Sequence, residues 1–393
     1  MKNYKGIKIE IKPTAEQIEK INRTIGTGRF LYNFYIAYNK EIYEEEKRFV
    51  TGFEFSKYIN NVFIKENPDK SWIKDVSSKS NKQAIMNSEK AFKRFFNKIS
   101  SFPKFKKKSH NNQKCYFFKN NKTDFEFYRH KIKIPTLKFV RLKEYGYIPK
   151  NTNIKSATIS KEGDRYFLSL ILEIKKEIEK NSIQKNLQTK EGIGIDLGIK
   201  DFAICSDGQV FKNINKTLKV RKIEKKLKRE QRKKSRKYLS CKKMEKNLYE
   251  CKNFQKQKLV IAKLFFKLNC IRNDYINKVI NMLTKTKLKY ITIEDLKVSN
   301  MIKNRHLSKA ISQQKFYEFR TKLLNKCKEK NIELRIVSTF YPSSKLCSNC
   351  GNKKQDFKLK DRIYKCNYCG IEINRDYNAS LNLRNSTQYT ILT

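Results

Sequence analysis

The stretch that decides the fold is Gly192-Ile193-Gly194-Ile195-Asp196-Leu197-Gly198-Ile199-Lys200-Asp201-Phe202-Ala203-Ile204-Cys205. It reads as an apolar strand ending in an acid, a tight turn and a second apolar strand. Ser206-Asp207-Gly208 then turns into a third strand. Downstream, glycine is absent from 209 to 341 and proline from 150 to 341, so long helices are expected. Ile261, Phe265, Leu268, Tyr275, Val279 and Met282 would mark one face of such a helix. A strand at Tyr290 to Glu294, a helix near 308–330 and a strand at Glu333 to Val337 complete the series.

The order β-β-β-α-β-α-β is the one a ribonuclease-H-like sheet requires, and it places acids at strand ends. Asp196 closes the first strand and Glu294 closes the strand Ile291-Thr292-Ile293-Glu294. Asp376 opens a late helix in Asn374-Arg375-Asp376-Tyr377-Asn378, with Ala379, Leu381 and Leu383 continuing inward. Phosphodiester hydrolysis with two divalent ions needs sites roughly 3.5–4 Å apart. Mg²⁺ is held by a few carboxylates plus water and substrate phosphate. Three carboxylates converging on one sheet edge would meet that need, so Asp196, Glu294 and Asp376 are the expected catalytic acids and magnesium ligands, for two Mg²⁺ ions. Asp201, Asp207 and Asp295 serve as controls. Asp207 sits in a turn sequence, and Asp295 should point away from Glu294 because strand side chains alternate.

Ten cysteines divide into four that are paired and six that are scattered. Cys347-Ser348-Asn349-Cys350 and Cys366-Asn367-Tyr368-Cys369 follow a C-x2-C-x15-C-x2-C spacing, that of a four-thiolate zinc site. Gly351 and Gly370 follow each pair, where a knuckle needs an unhindered residue. Four thiolates leave no position for water, so one structural Zn²⁺ is expected on Cys347, Cys350, Cys366 and Cys369. The other six, Cys115, Cys205, Cys241, Cys251, Cys270 and Cys327, should be free thiols in a reducing compartment.

The 393 residues carry a formal charge of +52, which calls for a polyanionic partner. No apolar run approaches a membrane span, and Met1 to Pro13 lacks the apolar core of a signal peptide. Residues 212–260 hold 20 Lys/Arg against 4 Asp/Glu. Lys225, Lys226, Arg229, Arg232 and Lys233 there are expected phosphate contacts. Lys104, Lys106 and Lys107, in Phe102-Pro103-Lys104-Phe105-Lys106-Lys107-Lys108, are expected to be others. Tyr116-Phe117-Phe118-Lys119 beyond them could stack on bases or fill a β core. Gly26-Thr27-Gly28 lacks the context of a phosphate loop, and His110, His130 and His306 form no constellation.

Toward the N-terminus, residues 4–12 alternate as a strand and Pro13 ends it. Thr14-Ala15-Glu16-Gln17 fits a capping box, with Ile18, Ile21 and Ile25 behind it. Phe30, Phe34, Tyr38 and Ile42 suggest a second helix, and Met86 to Ile99 a later one. Lys131 to Phe139, Ile154 to Ile159 and Tyr166 to Ile174 read as strands of a small β-barrel, with a hairpin turn at Lys161-Glu162-Gly163-Asp164.

GIDLGIKDFAICSDG around Asp196, ITIEDLKVSNM around Glu294, the four-cysteine ribbon and NRDYNASLNL around Asp376 resemble the TnpB (OrfB) proteins of bacterial insertion sequences. KIEIKPTAEQIEKINRTIGTGRFLYNFYIAYN and FPKFKKK are similar to that family too. Many members carry a His-Lys pair where this chain has Asn277-Lys278, which bears on helix packing and not on the acids. The resemblance implies an RNA-guided DNA endonuclease with a RuvC nuclease domain, a core shared with miniature type V CRISPR effectors. It carries the catalytic role onto Asp196, Glu294 and Asp376, and the zinc onto the four paired cysteines. The expected architecture is α+β multidomain: 1–13, first strand of a wedge barrel; 14–100, a helical recognition region; 101–175, the wedge β-barrel; 176–190, a linker. The remainder is 191–346, a RuvC-like nuclease with a basic helical segment at 212–289; 347–370, the inserted zinc ribbon; 371–384, the nuclease's C-terminal helix; 385–393, a flexible tail.

Guide RNA and double-stranded target DNA are the expected partners. The protein is expected to be a monomer on its RNA, cytoplasmic at the bacterial nucleoid, cutting beside a short flanking motif. A basic channel suits an A-form heteroduplex whose sequence the guide itself reads. The readings that compete are a CRISPR effector, a nuclease-inactive RNA-guided repressor, a transposase acting directly on transposon ends, and a zinc-ribbon transcription factor without catalysis.

Overall fold

The computed structural model describes residues 3–108, 114–118, 124–150, 152–174, 191–286, 288–355 and 361–392. The expected linker 176–190, His110, Lys119 and the ribbon's residues 356–360 lie outside them. The chain divides into two units, Met1–Asn181 and Ser182–Thr393.

In the first unit, β1 (Asn3–Lys12) leads into α1 (Ala15–Glu46). Thr14 and Gln17 form the capping box: the Gln17 N–H donates to the Thr14 hydroxyl at 3.3 Å, and the Thr14 N–H to Gln17 Oε1 at 3.1 Å. The two helices expected here are one. Each glycine in a helix costs about 1 kcal/mol against alanine, and burial of Ile21, Ile25, Leu31 and Tyr35 outweighs that. At Gly28 α1 lies against α4 (Ser78–Phe96): a Cβ there would stand in ordinary contact with Ala84, at 3.5 Å. With α2 (Gly52–Tyr58) and α3 (Ile64–Glu66), these helices close over an aromatic core that includes Tyr35, Phe55 and Phe92.

The same unit holds β2 (Lys114–Phe118), β3 (Lys131–Ile134), β4 (Lys138–Leu142), β5 (Asn153–Glu162) and β6 (Arg165–Ile174). With β1 they form an antiparallel sheet in the order β2-β5-β6-β1-β4-β3. Gly163, at φ +66°, makes the tight turn between β5 and β6. Among the described residues the short edge strands β2 and β3 do not pair with each other. Yet all six strands feed one apolar core, with Phe117 from one edge and Ile132 from the other. Among the described residues the two edges thus meet through side chains in that core.

The second unit begins with β7 (Ile193–Leu197), β8 (Asp201–Cys205) and β9 (Val210–Lys212), joined antiparallel. Two helices, α5 (Leu218–Lys243) and α6 (Lys252–Leu283), follow, packed together through Val220, Leu227, Ile261 and Leu268. Phe265 and Met282, expected on the buried face of α6, are exposed. That face serves two partners in turn: α5 first, then the sheet through Ile276, Val279, Ile280 and Leu283. A single stripe drawn through the whole helix misses the change.

Next come β10 (Tyr290–Glu294), α7 (Val298–Met301), α8 (Ser308–Gln314), α9 (Phe316–Lys330) and β11 (Glu333–Val337). Lys315, at φ +57°, breaks the single helix expected over 308–330. A two-stranded ribbon, β12 (Ile363–Lys365) and β13 (Glu372–Asn374), leads into α10 (Arg375–Asn385). With β14 (Thr390–Leu392) at one edge, the sheet order is β14-β11-β10-β7-β8-β9, with β10 parallel to both β7 and β11.

The last strand corrects the expected tail at 385–393. Residues Thr390–Leu392 are β14, antiparallel to β11 in the register Arg335↔Ile391. Two β-branched residues and the stacking of Arg335 over Tyr389 (4.2 Å) and Tyr290 (3.6 Å) dock it on the sheet edge. Among the described residues, no helix is long and apolar enough to cross a membrane.

Candidate functional site

Parallel pairing sets Ile195 opposite Ile293, so Asp196 and Glu294 follow side by side at the ends of β7 and β10. The third acid arrives on α10. Gly194 makes that possible: a Cβ there would lie 2.1 Å from the Ser380 carbonyl oxygen and 2.4 Å from the Arg384 nitrogen. With no side chain at 194, α10 lies directly on β7. Asn374 caps the helix, its Oδ1 accepting the N–H groups of Asp376 (3.0 Å) and Tyr377 (3.2 Å). Asp376 thus enters the first turn, where the helix dipole favours a carboxylate.

The three acids share one electrostatic field. Burial, then the charges of Glu294 and Asp376, push the Asp196 carboxyl up to about 8, with Arg375 pulling the other way. Glu294 is also raised by burial, and the Ser343 hydroxyl, which donates to its Oε1, offsets part of that. Asp376 is paired with Arg375 at 2.8 Å and lies 3.7 Å from Arg362. Two carboxyls raised in this way beside a third acid are a set of hard oxygen donors short of a cation, which fits Mg²⁺. The controls separate as their sequence contexts suggest. Asp295 is held low by Lys297, at 2.6 Å, and by Arg320. Asp207 accepts from Gln209 in its own turn, and Asp201 pairs with Lys212 at 3.3 Å.

The cysteine site is tighter. Sγ atoms of Cys347 and Cys369 lie 3.6 Å apart, as do those of Cys350 and Cys366. A zinc ion about 2.3 Å from each of four sulfurs would space them at about 3.8 Å, whereas a disulfide needs about 2 Å. Among the described residues, these four form the only group of three or more candidate ligands whose donor atoms all lie within 4.8 Å. The carboxylates stand further apart. The two knuckles repeat one hydrogen-bond pattern: Gly351 N–H to Cys347 O at 2.9 Å, and Gly370 N–H to Cys366 O at 3.1 Å. Both glycines have positive φ, +74° and +73°. The Ile371 N–H, and after it the Asn349 side chain, hold the Cys369 thiol down at about 6, which favours the metal-binding thiolate.

Two residues that sequence reasoning did not single out join these sites. Asn378 and Asn382, buried on α10, grip the chain entering the first knuckle. Asn378 donates to Leu346 O (2.6 Å) and accepts from Ser348 N–H (2.9 Å), while Asn382 donates to Ser343 O (2.7 Å) and Leu346 O (2.8 Å). Their four-residue spacing on the Asp376 helix was the available signal.

The basic residues fall into two settings. Lys225, Lys226, Arg229 and Arg232 are exposed on α5 and make no ion pair among the described residues, whereas Lys233 pairs with Glu230 at 3.2 Å. In the other unit, Lys104, Lys106 and Lys107 line a cavity of about 390 Å³ with Arg29, Asn87 and Tyr116. Asn33 clamps the Lys106 backbone through hydrogen bonds of 2.7 and 3.0 Å, and its ammonium lies 3.5 Å over the Tyr32 ring. Burial lowers its pKa to about 8. The aromatic run beside them divides: Phe117 is core, while Tyr116 and Phe105 face the cavity.

Three family profiles match the chain. Residues 1–48 match a helix-turn-helix domain of OrfB from IS605, 172–305 the IS605 OrfB "Probable transposase", and 316–383 a "Cas12f1-like, TNB domain". Within 1–48 this chain has β1 and the single helix α1. "Putative RNA-guided DNA endonuclease InsQ" of Escherichia coli (strain K12) is 28% identical over 398 residues, covering 98% of this chain and 92% of that one. A "Putative RNA-guided DNA endonuclease" of Streptomyces pristinaespiralis is 26% identical over 381 residues, covering 96% and 88%. Among solved structures, Cas12f1 in the "Cas12f1-sgRNA-target DNA complex" superposes with a TM-score of 0.58 at 15% identity, covering 98% of this chain and 99% of that one. The α+β fold is shared along nearly the whole length.

Proposed function

The chain belongs to the TnpB (OrfB) family and is related to Cas12f1, and from that premise we propose that it is the RNA-guided DNA endonuclease of an IS605-type element. The observation that carries this reading is the register of β7 and β10, which aligns Asp196 with Glu294 while Gly194 admits the helix bearing Asp376. Asp196, Glu294 and Asp376 would hold two Mg²⁺ ions. When bound, such a pair supplies an activated water and neutralises charge at the departing oxygen of the scissile phosphodiester. The chain's own part is to bring three oxygen donors to one sheet edge and to hold a proton on Asp196 until a cation replaces it. Asp295, neutralised by Lys297 and Arg320, takes no part.

Cys347, Cys350, Cys366 and Cys369 would hold one Zn²⁺ that anchors the chain against α10. The guide RNA and target DNA lie along basic surfaces. Lys225, Lys226, Arg229, Arg232 and Lys233 contact phosphates, and Lys104, Lys106 and Lys107 take part in binding beside the cavity. The protein works as a monomer on its RNA, in the cytoplasm at the nucleoid.

The experiment is to purify the protein with and without its co-expressed element RNA and to measure cutting of duplex DNA, together with RNA and DNA binding across a salt series. Cutting should require the RNA. Replacing the five α5 residues by alanine should flatten the log–log salt slope by roughly 0.7–0.9 for each phosphate that is no longer neutralised. Full cutting by RNA-free protein would overturn the reading in favour of a transposase.

A further inference from the structure

Ser343 lies in the turn between β11 and the first cysteine knuckle, at 5% exposure. Pro342 opens that turn, its carbonyl accepting the N–H groups of Lys345 (2.8 Å) and Leu346 (3.0 Å). The Ser343 hydroxyl donates to Glu294 Oε1, and the Ser343 carbonyl accepts Asn382 Nδ2 at 2.7 Å. Asn382 belongs to the helix that begins with Asp376, and Cys347 follows four residues after Ser343. One turn therefore touches the acid of β10, the helix of a second acid, and the chain entering the four-cysteine site.

We propose that Ser343 is a positioning residue for Glu294: its hydroxyl occupies Oε1, fixes the rotation of the carboxylate, and leaves the remaining lone pairs facing Asp196 and a divalent ion. This rests on the reading of Glu294 as a metal-holding acid.

The choice of a hydroxyl has a physical reason. The neighbouring carboxylate of Asp295 is held by two cations, Lys297 and Arg320, which consume its charge. A serine orients Glu294 through an uncharged donor and leaves the full negative charge for the metal. Ser343 cannot drift, because Asn382 holds its carbonyl and the adjoining Leu346 carbonyl is gripped by both Asn378 and Asn382. The four-cysteine site pins the next residue, so it is the far anchor of the same arrangement.

The test uses the protein–guide RNA complex of wild type, Ser343→Ala, Ser343→Thr and Glu294→Gln. Mn²⁺ binding is followed by electron paramagnetic resonance, above the background of an Asp196→Asn complex whose RNA binds Mn²⁺ equally. Cleavage is measured against Mg²⁺ concentration, with target-DNA affinity and zinc content alongside. Ser343→Ala should weaken Mn²⁺ binding and raise the half-saturating Mg²⁺ by roughly 10–100-fold, the usual cost of losing a group that orients a metal ligand. DNA affinity and zinc content should stay at wild-type values, and Ser343→Thr should recover most of the loss. Unchanged Mn²⁺ binding and Mg²⁺ dependence in Ser343→Ala, with Glu294→Gln inactive, would overturn the role of Ser343 alone. Loss of zinc or of DNA binding in Ser343→Ala, or no recovery with threonine, would equally overturn it. Wild-type cutting by Glu294→Gln would instead remove the reading of Glu294 on which it rests.

Discussion

The four cysteines and the three carboxylates belong to the same unit and are built in opposite ways. The cysteines come from two short knuckles, their donor atoms all within 4.8 Å of one another. The carboxylates come from β7, β10 and α10, stand further apart, and are engaged elsewhere, Glu294 with Ser343 and Asp376 with Arg375. A closed thiolate site stabilises the fold and excludes water. A looser oxygen site keeps room for substrate phosphate and water. The contrast suits one anchoring site and one reacting site, joined through Asn378 and Asn382.

The largest expected effect is on the looser site. Asp196→Ala, Glu294→Ala and Asp376→Ala should each reduce guided DNA cleavage to background while guided DNA binding persists, measured by gel cleavage and by filter binding. Asp295→Ala should remain within a few-fold of wild type, because its carboxylate is bound to Lys297 and Arg320. Equal loss in Asp295→Ala would erase the distinction between the two neighbouring acids.

Next comes the closed site. Cys366→Ser should drop zinc from one per chain toward none in metal analysis and expose 347–370 to proteolysis, since so small a core folds with its metal. Iron in the purified protein, or full activity without any metal there, would break the comparison from the other side.

The third test concerns how the acids are brought together. Gly194→Ala puts a methyl into the backbone of α10. Overpacking of this kind costs about 1–3 kcal/mol, occasionally more, and it should displace Asp376. Cleavage should fall further than the drop in melting temperature accounts for. A melting temperature and cleavage rate both at wild-type values would show that α10 need not lie so close.

The last effect is electrostatic and depends on pH. The Asp196 carboxyl is raised to about 8 from an ordinary value near 3.8, so ionisation favours the unfolded chain between those values. Without added Mg²⁺, Asp196→Asn should leave thermal stability unchanged below about pH 4, stabilise increasingly up to about pH 8, and hold that gain above it. Mg²⁺ competes with the same proton, so the Mg²⁺ needed by wild type should fall as pH rises toward 8. A stability difference independent of pH would mean that neither burial nor the neighbouring acids raise this carboxyl.

Much of this was legible in the sequence because the determinants are local. The cysteine spacing and its following glycines specify two knuckles within a few residues. The capping box at Thr14 starts α1, and Ile193 and Ile195 make a strand that carries Asp196 near its end. Charge needs no geometry at all: +52 calls for a polyanion in any fold. What local pattern could not decide was which surfaces meet. It divided α1 between Ile25 and Phe30, where burial of Ile21, Ile25, Leu31 and Tyr35 keeps one continuous helix. It left 385–393 as a tail, although Arg335 and β11 supply a docking edge, with Arg335 opposite Ile391 in the register. It named three acids without the residue that orients one of them, because Ser343 reaches Glu294 only through the path of the chain into the first knuckle. The sequence alone determined which donor groups the two clusters offer, four thiols at a short spacing and three carboxylates, since residue type and local spacing are properties of the chain. The tertiary structure decided the register that aligns Asp196 with Glu294, the close approach that Gly194 allows, and the clasp between α10 and the ribbon. Those depend on long-range packing, in which the partner of each residue lies far away along the chain.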